Sequence, residues 1–424
     1  MQKHKLFERR SEWAIFFAFC LVVFCVNAAI AYTHYLNLTE RKFYDLEARV
    51  IAQYQKTSKH DKLYWVLRLN NPEMGNFYTS TYEDLISIIG RDVRLTLITD
   101  KIGLYQFLRG FYAPSFRISL LPTDDRGAKL YEKAVLFIAD QHEHNYMKEL
   151  FSALFLAAPQ SAELRNGVVK YAAAHLIALS GFHLSILAAL LAFTVGSIYK
   201  ILQSRFFPWR NAFFDLFAIS LLLLGFYLVF TGVVPSLLRA YVMFVFGVFL
   251  IARHIEIINF QTLLICVFII ISLYPSIILN IGFILSVFGV FYIFLYLHHF
   301  RNRPKIESAI GLSVYVFAAM LPIVHYYFPV TAHTQLISPL LTLLYTPFFI
   351  FELIVHLIGF GSLLDRFLIY AFEVRVPEWN FSVPLWLCLS YIALSIAAIF
   401  HRYIHYVFIA TLIVWLFWQY LLVP

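Results

Sequence analysis

Apolar runs about as long as a bilayer is thick recur along this chain, and no other feature constrains its fold so strongly. They run from Trp13 to about Leu36, Lys170 to about Tyr199, Phe213 to Phe230, Leu237 to Ile251, Phe260 to Leu273, Ile281 to Leu297 and Gly311 to Tyr327. A helix of about 20 apolar residues crosses the hydrocarbon core, because it satisfies its own backbone polar groups where no water can. Less regular apolar segments follow at about 349–372, 381–400 and 403–421. With 61% hydrophobic and only 14% charged residues, the chain is excluded from the soluble class. The fold class is a polytopic α-helical membrane protein.

Lys and Arg mark cytoplasmic loops. They gather at Lys200–Arg210, Arg253–His254 and Arg301–Lys305, and Lys3, Lys5, Arg9 and Arg10 precede the first run. Neutral loops alternate with these basic ones, which predicts a cytoplasmic N-terminus and a retained anchor over residues 1–42. Ala29-Ile30-Ala31 resembles a signal-peptide cleavage site, but the run before it exceeds a signal's apolar region. A net charge of +8 also suits a polyanionic substrate. Cys20, Cys25, Cys266 and Cys388 all fall in apolar runs, with neither disulfide nor zinc spacing. They read as core filler.

Residues 43–122 change character. Glu47–Tyr54, Lys62–Leu69 and Asp92–Thr99 alternate apolar and polar positions, and Ser115–Leu121 adds another short strand. About five such strands fit a small, partly open barrel such as an OB-fold, on the periplasmic side of the membrane. OB-folds bind single strands with cations and stacking aromatics, which makes Tyr64, Trp65, Arg68, Phe77 and Tyr82 candidates. Strand core is the other reading of these aromatics. In the next unit, 123–160, residues Ala128–Ala157 read as one amphipathic helix lying along the membrane surface. His142 and His144 belong to its solvated face, since no third metal ligand follows at helical spacing.

The remaining residues, 161–424, form the membrane domain. Its first apolar run carries His175, Ser180, Gly181 and His183, and polar groups in hydrocarbon need partners or a cavity. At 100° per residue His175 and His183 lie roughly 80° apart on one helix, with Ser180 on the same side. The expectation is an inward-facing polar cluster, close helix packing being the alternative. Pro235 and Ser236 begin a later apolar helix, with Ser236 as candidate N-cap. Arg239 sits in its first turn, where the helix dipole opposes a cation; a hydrated path or snorkelling to the interface would accommodate it. Further on, Pro339 and Pro347 predict a kinked or broken helix, with His333, Thr334 and Gln335 near its outer mouth. Glu352, His356 and Asp365 read as marks of a re-entrant or interfacial helix.

His-Leu-Ile-Ala-Leu-Ser-Gly-Phe-His-Leu at 175–184 resembles the signature of the ComEC family of competence DNA-uptake channels. Gly-x-x-Pro-Ser-x-x-Arg-Ala-x-x-Met at 232–243 resembles a second family motif, and Leu104–Ala113 the exit from its OB-like domain. Pro275 to Ser286 resembles a Pro…Gly-Phe-Gln-Leu-Ser element, with Ile284 in place of the glutamine. Similarity continues through the proline-bounded stretch Tyr327–Pro347. The resemblance implies a multi-pass inner-membrane channel that passes single-stranded DNA from periplasm to cytoplasm during natural transformation. His175, Ser180, His183, Ser236, Arg239, His333 and Gln335 are then the channel-lining or DNA-contacting candidates.

The implied partners are single-stranded DNA, inner-membrane lipid, a periplasmic DNA receptor, and a separate cytoplasmic ATP-driven motor or single-strand-binding protein. A separate motor is expected because the chain has no phosphate-binding loop. Many family members carry a C-terminal metallo-β-lactamase-like domain, whose His-x-His-x-Asp-His motif is not found here, so degradation of the second strand is expected to fall to another protein or to be absent. No catalytic residue, metal or cofactor is expected. A rival class is an intramembrane serine hydrolase using Ser180 and a histidine, since Ala-Leu-Ser-Gly resembles the Gly-x-Ser-Gly of rhomboid-type proteases. A small-molecule exporter is a third reading.

Overall fold

The computed structural model describes residues 7, 9–57, 63–71, 73–83, 88, 90–100, 102–121, 126–252, 259–374 and 376–422. Lys3, Lys5, Pro122, Arg253 and His254 lie outside the described residues. Helix α1 (Arg10–Thr39) opens with the Glu12 carboxylate accepting from the Arg9 amide at 3.1 Å. It leads directly into a five-stranded antiparallel sheet of β1 (Phe43–Thr57), β2 (Leu63–Asn71), β3 (Gly75–Thr81), β4 (Asp92–Ile98) and β5 (Ser115–Leu120). The strand order is β3-β2-β1-β4-β5, and the short helix α2 (Leu104–Arg109) sits between β4 and β5.

A bulge between Val50 and Ala52 sharpens the twist of β1 and helps the sheet curl until its two edges approach. There the Tyr78 amide donates to the Phe111 carbonyl at 2.8 Å, and Thr79 Oγ1 to Ser115 Oγ at 2.6 Å. The result is a half-barrel. Its concave side holds Leu67, Leu69, Phe77, Val93, Leu95, Leu97 and Phe111, all buried. Phe77 is therefore not an accessible stacking platform: it is fully enclosed, with its ring 5.3 Å from Phe111 in a stacked pair.

The expected single surface helix over 128–157 is two helices, α3 (Arg126–Ala139) and α4 (Asn145–Leu156). Only α3 keeps an exposed apolar side, at Leu130, Leu136 and Phe137; α4 is buried from Leu150 to Leu156. The chain corners at 140–144 because His142 turns inward, contrary to its expected solvated position. The run that begins at Lys170 is also not one helix. It follows α5 (Ala162–Val169) with a turn and is divided into α6 (Ala174–Ile177) and α7 (Gly181–Phe206). Ala172 at φ 49° turns the chain between the first two, and Ser180 caps α7, its Oγ accepting from the Phe182 amide at 3.3 Å.

Helices α8 (Ala212–Phe230), α9 (Pro235–Ala252), α10 (Phe260–Leu273), α11 (Ile281–His299) and α12 (Lys305–Tyr327) match the expected spans closely. Strand β6 (Val330–Ala332) follows, then α13 (Ser338–Ile358), α14 (Asp365–Glu373), β7 (Glu378–Asn380) paired with β6, α15 (Leu385–Ala397) and α16 (Arg402–Phe417). The prolines do not break α13: Pro339 occupies its first turn, where no amide is needed, and Pro347 lies inside a continuous helix. The segment expected over 349–372 is instead the second half of α13, a turn and α14. Among the described residues, seven helices are long and apolar enough to cross a membrane, and α9, α10 and α15 are shorter apolar helices.

Helix α1 packs on α10, where Asn27 Nδ2 donates to the Ser272 carbonyl at 3.0 Å. Helix α2 packs on the turn Pro275–Leu279, just before α11. Since α11 ends at the basic loop Arg301–Lys305, the half-barrel and that loop sit at opposite ends of the same helix. His299 Nε2 lies 2.9 Å from the Ala398 carbonyl, so the turn before Arg402 joins the basic end.

Candidate functional site

The two segments at 175–184 and 232–243 meet in space. Ser236 Oγ donates to the Leu179 carbonyl at 2.5 Å, and a Cβ on Gly181 would lie 3.4 Å from that of Ala240. Ser236 is thus not an N-cap; its hydroxyl ties α9 to the residue before Ser180. Ser180 and His183 form the first turn of α7, with the Ser180 amide and Oγ each 3.3 Å from His183 Nδ1. The other ring nitrogen, Nε2, is hydrogen-bonded to the Tyr345 phenol of α13. His183 is fully buried, with Phe349 edge-on at 5.3 Å. His175 stands apart on α6, exposed, with Nε2 3.3 Å from Thr342 Oγ1. The helical angle expected between His175 and His183 does not apply, because the helix restarts between them.

Arg239 lies three residues further along α9, next to Ser236 on the helix surface. It is buried, its guanidinium 5.9 Å from the Phe283 ring centre and Nη1 3.4 Å from the Gly282 carbonyl. It thereby contacts the third family-like segment, at the start of α11. Around it Met243, Leu263, Ile270 and Val287 line a cavity of about 10 Å³, room for roughly one water. The expected hydrated path to phosphates is not open at Arg239 in this conformation, because these apolar side chains close over it.

His333 and Gln335 serve a third location. Gln335 Oε1 accepts from the Tyr420 phenol at 2.9 Å and its Nε2 donates to the Val330 carbonyl at 3.0 Å. His333 Nε2 is 3.2 Å from the Tyr420 carbonyl, and its ring packs on Trp379 at 4.7 Å. These residues fasten the last described helical turn to the paired strands β6 and β7.

A fourth group was not singled out as a site from the sequence. Ser338, Thr342, Tyr345, Phe349, Glu352 and His356 recur at alternating spacings of four and three along α13, which puts them on one stripe. At its far end His142 Nδ1 lies 2.9 Å from an Asp365 oxygen, and His142 Nε2 lies 3.0 Å from His356 Nε2. Gln141 clamps the same corner, donating to the His356 carbonyl at 3.2 Å and accepting from the Gly361 amide at 2.8 Å. A Cβ on Gly361 would meet the His356 ring at 2.8 Å, so only glycine fits there. Burial holds the His142 imidazole below its ordinary pKa, and the hydrogen bond and charge of Asp365 oppose that shift.

On the half-barrel, register places Tyr54 opposite Val66 and Arg68 opposite Tyr78. Tyr54, Tyr64, Arg68 and Tyr78 therefore share the face away from the core, whereas Trp65 alternates to the other side. The Arg68 guanidinium lies 6.0 Å from the Tyr78 ring centre, and its Nε has no hydrogen-bond partner among the described residues. Tyr82, 70% exposed, stands 6.0 Å from Tyr64. Burial and Tyr78 hold the Tyr54 phenol above its ordinary pKa, while Arg165 of α5 and Arg68 pull the other way. This face thus lies within electrostatic reach of the membrane domain.

These features define a class: a multi-pass membrane protein that couples a half-barrel to a bundle whose polar residues converge on its helix starts. The sequence model of the competence protein family matches residues 160–423, and the chain belongs to this family, that of the ComEC proteins. Its role is accordingly in DNA uptake. Neither curated protein sequences nor solved structures give a match.

Proposed function

We propose that this protein is an inner-membrane channel that passes single-stranded DNA from periplasm to cytoplasm, and that it is not an enzyme. The half-barrel is an OB-like module on the periplasmic side. The observation that carries this reading is the β2–β3 face, where register places Tyr64, Arg68 and Tyr78 side by side and the Arg68 guanidinium lies 6.0 Å from the Tyr78 ring centre. Oligonucleotide-binding barrels use that same face, and base stacking beside cations binds single strands without sequence preference. Periplasmic placement is supported by the opposed ends of α11, because the basic loop at its C-terminus belongs in the cytoplasm. The Gln261 side chain donates to the Phe7 carbonyl at 3.0 Å, which keeps the N-terminal end of α1 away from the half-barrel and agrees with a cytoplasmic N-terminus.

Partners follow from the chemistry. A receptor would hand DNA to the half-barrel, and a separate cytoplasmic motor or single-strand-binding protein would draw the strand in. In the rival hydrolase reading Ser180 and His183 are the nucleophile and base, but the Ser180 hydroxyl is already the N-cap of α7. The test is uptake of labelled DNA by cells with and without the gene. Protected DNA that accumulates in the periplasm of the deletion strain and fails to reach the cytoplasm is the expected result. Equal cytoplasmic DNA in both strains overturns the proposal.

A further inference from the structure

At the corner between α3 and α4, His142 meets His356 of α13 and Asp365 of α14, and the contact has a requirement that the hydrogen-bond chemistry makes explicit. His356 Nδ1 lies 2.7 Å from the Glu352 backbone carbonyl. A carbonyl only accepts, so this Nδ1 carries a hydrogen. His142 Nδ1 lies 2.9 Å from an Asp365 carboxyl oxygen, so one hydrogen lies in that bond too, on nitrogen or oxygen. If both rings were neutral and Asp365 ionised, the two Nε2 atoms would then face each other with lone pairs at 3.0 Å. A hydrogen bond at that distance needs a third hydrogen. That hydrogen sits between the Nε2 atoms whether the extra charge is drawn on His142, on His356, or cancelled by protonating Asp365. All three forms contain the same number of protons.

We infer that the His142–His356 pair, backed by Asp365, is a buried binding site for one proton, and that the bound proton holds the α3–α4 corner onto α13. The site is built for this. All three side chains are buried, the His142 ring stacks on Phe151 at 4.8 Å, and Gln141 and Gly361 fix the backbones on both sides. The ionisable groups facing the pair are Asp365 from α14 and Glu352 from α13, whose Oε2 lies 3.3 Å from His356 Nδ1. Both carboxylates favour the protonated pair, and desolvation disfavours it. When the proton leaves, to water by way of the Asp365 carboxylate, the two lone pairs repel and the corner is released. The sign follows: the contact is complete at acidic pH and is lost as pH rises through the pair's own pKa. By linkage the proton holds the corner to the extent that the paired rings bind it more tightly than the released rings do; the hydrogen bond and charge of Asp365 act in that direction on His142, and burial acts against them.

The test uses the full chain in lipid nanodiscs, with hydrogen–deuterium exchange followed by mass spectrometry from pH 4.5 to 8.5 and corrected for intrinsic exchange. Peptides covering 140–144 should be protected in acid and exchange at least tenfold faster at pH 7.5, while peptides from α10 stay constant. His356→Gln should abolish the pH dependence, because an amide donates to His142 Nε2 without an extra proton. Asp365→Asn, which keeps the shape, should move the wild-type midpoint down by about one pH unit or more, and it tests the site even if the glutamine variant does not fold. A flat wild-type profile overturns the inference. So does a wild-type profile that either variant leaves unchanged.

Discussion

The Tyr345 phenol is hydrogen-bonded to His183 Nε2, while the Ser180 amide donates to Nδ1 of the same ring at 3.3 Å. Since Nδ1 accepts, the neutral imidazole carries its hydrogen on Nε2 and donates to Tyr345. Tyr345→Phe takes the phenol partner from that buried ring, which keeps its backbone contact with Leu176, at a cost of about 0.5–1.5 kcal/mol. The expected outcome is a lower melting temperature in detergent for Tyr345→Phe, relieved in the double variant Tyr345→Phe/His183→Phe. A phenylalanine variant as stable as wild type would show that the bond contributes nothing.

Ser180→Ala removes the α7 cap, worth about 1 kcal/mol. DNA transfer to the cytoplasm should fall partially, and Ser180→Thr should restore it, because threonine also caps. If alanine and threonine both abolish transfer with normal protein in the membrane, Ser180 is a nucleophile and the channel reading of this corner fails.

Arg239 is enclosed by apolar neighbours and Phe283. Arg239→Met keeps the length and apolar stem of the side chain and removes the cost of a buried charge, so membrane abundance should equal or exceed wild type. Cytoplasmic DNA transfer measured beside abundance then isolates the charge. Loss of transfer at full abundance, with part of it kept by Arg239→Lys, is the expected pair of results; unimpaired transfer in the methionine variant would remove Arg239 from the DNA path.

Arg68→Ala in the full chain should weaken single-stranded DNA binding and reduce the slope of log K against log salt by about 0.7, the contribution of one phosphate contact. Tyr78→Ala should cost about 1–3 kcal/mol of affinity with little change in that slope, as a lost stacking partner does. Fluorescence anisotropy with a labelled oligonucleotide across a salt series separates the two. Affinity unchanged in both variants would remove this face from DNA binding.

A periplasm-active reporter fused after Leu121 should be active, and one fused after Lys305 silent. The opposite pattern would put the half-barrel on the cytoplasmic side.

Much of the fold was legible because membrane spans and alternating strands both leave periodic hydrophobicity. α8 and α10 start at side-chain caps, Asn211 and Asn259, that stand immediately before their apolar runs. Strand β3 was harder to assign, since Gly-Asn-Phe-Tyr-Thr-Ser-Thr turns Phe77 and the polar Thr79 inward, which leaves no apolar alternation to read. The break before Gly181 was hidden because Ala-Leu-Ser is as acceptable in a helix as at its start; the decision lies with His183 and Ser236, which are remote or silent in a hydropathy reading. His142 was misplaced for a related reason. Its local neighbours are polar, and only the distant Asp365 and His356 make its burial affordable. The three- and four-residue spacing of Ser338, Thr342, Tyr345, Phe349, Glu352 and His356 was present in the sequence, and it was the one signal from which that partner stripe was readable.

Leu38, in the last turn of α1, is fully buried in the core of the half-barrel, and the Tyr35 phenol donates to the Ile102 carbonyl at 3.2 Å. Membrane anchor and sheet are thus joined through shared packing, with only Glu40 to Lys42 between helix and strand. A pull on the sheet is not taken up by a slack tether. It acts as torque on α1 and passes through Asn27 to α10, one of the three helices that enclose Arg239. Force applied to the half-barrel therefore has a mechanical route to the buried arginine between α9, α10 and α11.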